Sequence, residues 1–286
     1  MEQEKKVEEP KKKSILKIIL LILGIIIILL LCYMFIWSHK WITLKEIPII
    51  YEDLPSNFNG LKIIHFSDIH YGKTTNEAEI KQLVKKINEA KPDIIVYTGD
   101  LLNNGINLPE KSIDFLKEQF SKLTANLKKY AIQGDNDYQN IETYQNIMTN
   151  AGFQILNNEQ DLIFYKGSTP IQIAGISSIQ AENINEEKLW NTEETIGYRI
   201  LLAHEPQIID KLNTKPNLLL CGSTNKIIYI PYIEELFKNE NANYTRGKYQ
   251  KENTTIIVSP GIGTEKYPIR FGNNPTIYLY RLYNFN

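Results

Sequence analysis

The chain has 286 residues, 43% of them hydrophobic, and 32 basic against 33 acidic side chains give a formal net charge of -1. That length suits one large domain or two small ones. The balanced charge leaves no basic footprint for a polyanion, so no nucleic-acid partner is expected.

The N-terminus mixes Glu and Lys over residues 1–13 and reads as a disordered cytoplasmic tail. Residues 14–38 read as a transmembrane helix, because Ile18 to Trp37 carries no charge and about 20 apolar residues cross a bilayer as a helix. Lys5, Lys6, Lys11, Lys12, Lys13 and Lys17 precede the run, whereas only Lys40 and Lys45 follow closely. This bias places the N-terminus in the cytoplasm and the main domain outside. Tyr33, Trp37 and Trp41 fall where an outer interfacial belt would lie. A cleaved signal peptide fits less well: the run exceeds the usual apolar core, and no small-x-small site follows it. A lipoprotein site at Cys32 would require small residues where Leu30 and Leu31 stand. Residues 39–55 read as a linker and 56–286 as the folded domain. The second cysteine, Cys221, ends a leucine run and reads as a buried strand thiol, not paired with Cys32.

Beyond the linker, strand and helix signals alternate. Leu61–Phe66, Asp93–Tyr97 and Tyr130–Gln133 are short apolar runs. Helical spacing appears over Asn76–Ala90, around Ile113, Leu116, Phe120 and Leu123, and over Ile141–Ala151. The second half is richer in strands: Leu162–Tyr165, Ile171–Ile176, Arg199–Ala203, Asn217–Cys221, Thr255–Ser259 and Thr276–Leu282. The pattern predicts an α/β domain with two sheets and covering helices. Tyr278 and Tyr280 read as one face of the last strand, not as a binding platform.

Three successive strands end in acidic or imidazole groups: Asp68 and His70, then Asp100, then Asp135 and Asp137. A later strand ends at His204. Ligands of α/β sheets gather beyond the C-terminal strand ends. An Asp at one strand end is commonly a helix cap; recurrence at four is what points to a site. Carboxylates and imidazoles converging on one edge call for a divalent cation, and mixed O and N donors suit manganese, iron or zinc. Two such ions would clamp a phosphate and activate water. His65 alternates away from Asp68 and reads as structural. A calcium loop over Asp135–Asn146 is discounted, because Asn140 occupies the position that needs Gly.

The order Asp68-Ile69-His70, Gly99-Asp100, Gly134-Asp135-Asn136-Asp137, His204 and Gly222-Ser223-Thr224-Asn225 resembles the signature of the calcineurin-like metallophosphoesterases. The flanking phrases Ser67–Gly72, Leu201–Pro206, Gly261–Thr264 and Pro268–Gly272 resemble its membrane-anchored bacterial subgroup. The resemblance implies a two-sheet sandwich flanked by helices. It also implies that Asp68 and His70 hold a first metal, Asp100 bridges two, and His204 holds the second. One or two divalent ions (Mn, Mg, Fe or Zn) would serve as cofactor.

Three sites depart from that pattern. Asp135 stands where the family has a metal-binding Asn. Asn136 stands where it has the His thought to protonate the leaving group, and an amide supplies no proton near neutral pH. Ser223 and Asn225 replace two imidazole ligands, leaving only weak oxygen donors. The chain's four histidines (His39, His65, His70 and His204) provide no substitute. The harder donor set shifts preference from zinc toward manganese or magnesium. Asp100, Asn136 and Asp137 are the expected catalytic positions; Asp68, His70, Asp100, Asp135 and His204, with Ser223 and Asn225 as weak donors, are the expected metal positions. The implied function is a membrane-anchored phosphoester hydrolase, weakened or inactive, acting on a phosphorylated small molecule or lipid. The alternative is a pseudo-phosphoesterase that binds a ligand or partner.

Overall fold

The computed structural model describes residues 11–38, 40–103, 105–178, 184–222 and 244–285. Helix α1 (Lys11–Cys32) continues as a π-helical turn over Tyr33–Trp37. Of the described helices it alone is long and apolar enough to cross a membrane, and its apolar stretch, within Ile15–Phe35, is not buried in the rest of the chain. At 1.5 Å per residue such a helix is about 30 Å long, the thickness of the hydrocarbon layer.

Among the described residues, twelve strands form two six-stranded sheets. The first runs in the order β1 (Thr43–Tyr51), β12 (Thr276–Asn284), β2 (Lys62–Phe66), β3 (Ile94–Tyr97), β4 (Lys128–Ala131) and β5 (Gln154–Ile155). The second runs β10 (Gly247–Lys251), β11 (Thr254–Val258), β9 (Leu218–Cys221), β8 (Arg199–Ala203), β7 (Ile171–Ile176) and β6 (Glu159–Ile163). Strands β2 to β5 are mutually parallel, as are β7, β8, β9 and β11. The pairs β12–β2, β6–β7 and β10–β11 are antiparallel.

Side-chain alternation builds the layers. From β2 and β3, Ile63, Ile94 and Val96 point between the sheets, where they meet Ile200, Leu202, Leu218 and Leu220 of β8 and β9. Ile64, Phe66, Ile95 and Tyr97 point outward to the helices α2 (Glu77–Ala90), α3 (Glu110–Ser121) and α4 (Ile141–Asn150). Leu201, Leu219 and Cys221 cover the far face of the second sheet with Leu189 of α5 (Glu186–Trp190) and Ile208 and Ile209 of α6 (Ile208–Lys211). Tyr278 and Tyr280 are buried between the sheets, as one face of β12.

Helix α2 shows how local chemistry fixes an element. Asn76 accepts from the Ala78 N–H at 2.8 Å while Glu79 accepts from the Asn76 N–H at 2.7 Å, a reciprocal cap. Ile80, Leu83, Val84 and Ile87 bury one face, each contributing about 1.5–3 kcal/mol. Lys91 turns left-handed at φ 48° and Pro92 follows, which ends the helix.

The segment expected to be a linker, 39–55, is corrected by the structure. Most of it is strand β1, hydrogen-bonded along its length to β12 from Thr43–Thr276 to Tyr51–Asn284. Its charged Lys45 and Glu46 are exposed and only Ile49 is buried, as suits an edge strand. Pro48 is tolerated there because an edge strand has one unpaired side. Strand β10 is likewise an edge strand with no sequence expectation behind it.

Candidate metal centre

Strands β2 and β3 lie side by side, and the turns that follow them interlock. The N–H groups of Asp68, Ile69 and His70 donate to the carbonyls of Gly99, Asp100 and Asp100 at 2.9, 2.8 and 3.1 Å. Asp68, His70 and Asp100 all take left-handed backbone conformations, with φ of 52°, 49° and 63°. For residues with a Cβ this is sparsely populated and is held only where the surroundings enforce it. Close approach also dictates Gly134, since a Cβ there would lie 2.1 Å from Asp100 Oδ1. Gly222 is dictated the same way: its Cβ would fall 2.6 Å from His204 Nδ1.

These constraints bring the strand ends together. Donor atoms of Asp68, Asp100 and His204 all lie within 4.8 Å of one another. His204 Nε2 is 3.5 Å from Asp100 Oδ2 and 3.5 Å from Asp135 Oδ1. His70 Nε2 is 3.7 Å from Asp100 Oδ2 and 3.9 Å from Asp68 Oδ1. Asp68, His70 and Asp100 are fully buried, whereas the Asp135 carboxylate is 63% exposed and forms the open side. Ser223 and Asn225 lie outside the described residues.

The donor set fits a divalent cation. His204 Nδ1 sits 2.7 Å from the Thr98 carbonyl. A carbonyl only accepts, so Nδ1 carries the hydrogen and Nε2 is the nitrogen turned toward the carboxylates. A ring fixed in this way by a backbone carbonyl is the usual support of a metal-binding imidazole. Burial opposes charge on His204, but Asp100, Asp135 and Asp68 outweigh it and hold the imidazole well above its ordinary pKa. Asp100 is the converse case: burial would raise it, but His204, His70 and Asn136 hold it down at about 2. Burial pushes Asp68 up.

Asn136 grips the central carboxylate. Its N–H donates to Asp100 Oδ1 at 3.0 Å and its side-chain amide to Asp100 Oδ2 at 2.7 Å, with a longer contact to Asp135 Oδ1 at 3.3 Å.

Asp137 does not face the cluster, contrary to its expected place among the catalytic groups. Its Oδ2 accepts from the N–H groups of Asp100 and Gly134 at 2.8 and 3.0 Å, and its Oδ1 from those of Leu101 and Leu102 at 2.8 and 3.3 Å. It caps the turn Asp135–Asn140 and clamps the β3 and β4 turns together. His65 is structural as expected. Its ring nitrogens meet Tyr280 Oη at 2.8 Å and Thr98 Oγ1 at 2.9 Å, and burial lowers its pKa to about 3.

One contributor had no expectation behind it. Arg270 is buried, and its guanidinium donates to the carbonyls of Pro260, Gly261, Gly263 and Asn273. It shapes the loop whose Ile262 and Gly263 N–H groups donate to the Asp68 carbonyl, at 3.2 and 2.6 Å. The phrase Pro268–Gly272 resembles the family's, but an arginine whose described partners are carbonyls leaves no distinguishing pattern there.

A two-sheet α/β sandwich with acid and imidazole side chains gathered at its C-terminal strand edge is the metallophosphoesterase architecture. The calcineurin-like phosphoesterase profile matches residues 61–245, and the chain belongs to that family. It is 31% identical over 240 residues to an uncharacterized metallophosphoesterase, YkuE, of Bacillus subtilis, covering 82% of each chain. It is 29% identical to a transmembrane protein with metallophosphoesterase domain from Danio rerio, across 81% of this chain and 55% of that one. It is 25% identical to the UDP-2,3-diacylglucosamine pyrophosphatase LpxG of Chlamydia trachomatis, across 86% and 92% of the two chains. The Danio rerio relative is named a transmembrane protein, and helix α1 of this chain is long and apolar enough to span a bilayer.

Proposed function

We propose that the chain is a membrane-anchored, metal-dependent phosphoester hydrolase with weakened turnover, its domain on the extracytoplasmic side. The observation that carries this reading is the convergence of Asp68, Asp100 and His204 donor atoms within 4.8 Å. Those three residues would hold the ion, with His70 and Asp135 beside them. When bound, a divalent ion supplies Lewis-acid polarisation of a phosphoryl oxygen and a more acidic water. The chain's own contribution is placement. Asn136 fixes both oxygens of Asp100, the Thr98 carbonyl fixes the His204 tautomer, and the exposed Asp135 leaves the cluster open toward substrate. The lysine bias around α1 supports the orientation. A phosphorylated lipid is the favoured substrate class, supported by the anchor and by the name of the chlamydial relative.

A second reading, a domain that binds a phosphorylated ligand without turnover, is favoured by Asn136. Its amide is engaged with Asp100 and has no proton to give a leaving group. The two readings separate when detergent-solubilised full chain is assayed for bound metal and for aryl phosphodiester hydrolysis with added Mn²⁺. Metal-dependent turnover lost in Asp100→Asn supports the hydrolase; bound metal without turnover supports the binding domain.

A further inference from the structure

Two strand registers within the first sheet show which end of the domain lies beside the end of helix α1. Asp68, His70, Asp100 and Asp135 follow the C-terminal ends of β2, β3 and β4. Strand β12 is antiparallel to β2, with Tyr278 opposite His65 and Arg281 opposite Lys62. The start of β12 therefore lies at the acidic edge and its end lies far away. Strand β1 runs parallel to β12 with Thr43 opposite Thr276, so β1 also starts at that edge. It starts there a short step beyond the end of the apolar helix.

The helix end is docked to this edge. The Arg270 N–H donates to the Met34 carbonyl at 3.4 Å. The Tyr33 ring meets Phe271 edge-on with centroids 6.2 Å apart. Ser38 is buried, and its hydroxyl donates to the same Met34 carbonyl at 2.9 Å. The other end of the same loop bonds the Asp68 carbonyl through Ile262 and Gly263. One loop thus spans from the anchor to a metal-site residue, and Arg270 ties its two ends by binding Gly263 and Asn273 carbonyls.

Aromatic side chains ring this end. Trp37, Trp41 and Tyr267 are 62%, 75% and 62% exposed. Beside them lies a recess of about 300 Å³ between Tyr33, Trp37, Ser38, Trp41 and Asn274. Amphipathic aromatic rings of this kind favour the headgroup layer of a bilayer.

We propose that this end of the domain seats on the bilayer surface, with Trp37, Trp41 and the exposed Lys266–Tyr267 tip of the Gly261–Phe271 loop in the headgroup layer. The acid and imidazole edge then faces the lipid. The proposal rests on α1 spanning the membrane and is independent of turnover. The opposite end of β12 provides a built-in control: at 3.3–3.4 Å per residue, nine residues put the exposed Phe285 about 30 Å farther from the surface.

The test is quenching by lipids brominated near the headgroup end of the acyl chains. The full chain is reconstituted in phosphatidylcholine vesicles with a single tryptophan at a time. The chain's tryptophans are Trp37, Trp41 and Trp190, and the unwanted ones are changed to Phe. Reporters are native Trp37, native Trp41, Tyr267→Trp and Phe285→Trp. The expected result is a fall of about half or more in the emission of the first three and no change for Phe285→Trp. Quenching of Trp37 with Trp41 and Tyr267→Trp no more quenched than Phe285→Trp would leave the anchor standing and overturn the seating. An unquenched Trp37 would remove the anchor itself and the proposal with it. Should Tyr267→Trp fail to fold, the native Trp41 carries the same comparison.

Discussion

Asn136 holds both oxygens of Asp100, through its backbone N–H at 3.0 Å and its side-chain amide at 2.7 Å. On these contacts Asn136, which the motif resemblance sets against the family's proton donor, is a positioning group. Asn136→His returns a titratable acid to the open side of the cluster. A general acid contributes about 10²–10⁴ in rate, so kcat with saturating Mn²⁺ should rise at least about tenfold. The phosphodiesterase assay of the variant against the natural chain checks it; an unchanged kcat would remove the positional assignment of this motif.

Asp137 should behave as a structural residue. Asp137→Ala strips the acceptor from four buried N–H groups. Unsatisfied buried donors cost about 1–3 kcal/mol each before relaxation. A net loss on the order of 4 kcal/mol is expected in denaturant unfolding. Asp137→Asn keeps an acceptor and should lose roughly half as much.

The approach of Gly134 to Asp100 predicts a steric lesion. Gly134→Ala places a methyl carbon 2.1 Å from Asp100 Oδ1 and 2.7 Å from the Asp100 nitrogen. The turn has to shift, at a cost of about 1–3 kcal/mol. Calorimetric titration with Mn²⁺ should show affinity at least about tenfold weaker, with the far-UV circular dichroism retained.

His65 makes stability depend on pH. Its folded pKa is about 3 because of burial, against about 6.5 in the unfolded chain. Between those values the unfolded chain binds more protons, so stability rises with pH. The contribution is complete above about pH 6.5 and is lost progressively as pH falls toward 3, about 5 kcal/mol over the whole window. His65→Gln keeps hydrogen-bonding groups for Tyr280 and Thr98 but cannot titrate. Its stability, measured by urea unfolding between pH 4 and 6.5, should vary less steeply than that of the natural chain.

The site was legible at its strand ends because each follows an apolar run, and because Asp, His and Gly recur there in order. Asp68, His70, Asp100, Asp135 and His204 do meet. Asp137 was misread because a carboxylate that caps a turn and one that binds a cation have the same one-letter context; only its orientation toward the Gly134 and Asp100 amides separates them. Strand β1 was hidden by Lys45, Glu46 and Pro48, which are compatible with an edge strand but mimic a linker. Strand β10, Gly247–Lys251, is polar for the same reason. Arg270 was invisible because its partners are backbone carbonyls of its own loop, brought together only by the fold.

The central claim is that Asp68, Asp100 and His204 share a cation. Its most direct measurement is metal content by mass spectrometry after loading with Mn²⁺ and desalting, for the natural chain, Asp68→Asn, Asp100→Asn and His204→Ala. Retention of manganese by the natural chain, and its loss in all three variants, is the predicted result. Equal manganese in the natural chain and the variants, or none in the natural chain at millimolar loading, would contradict the account.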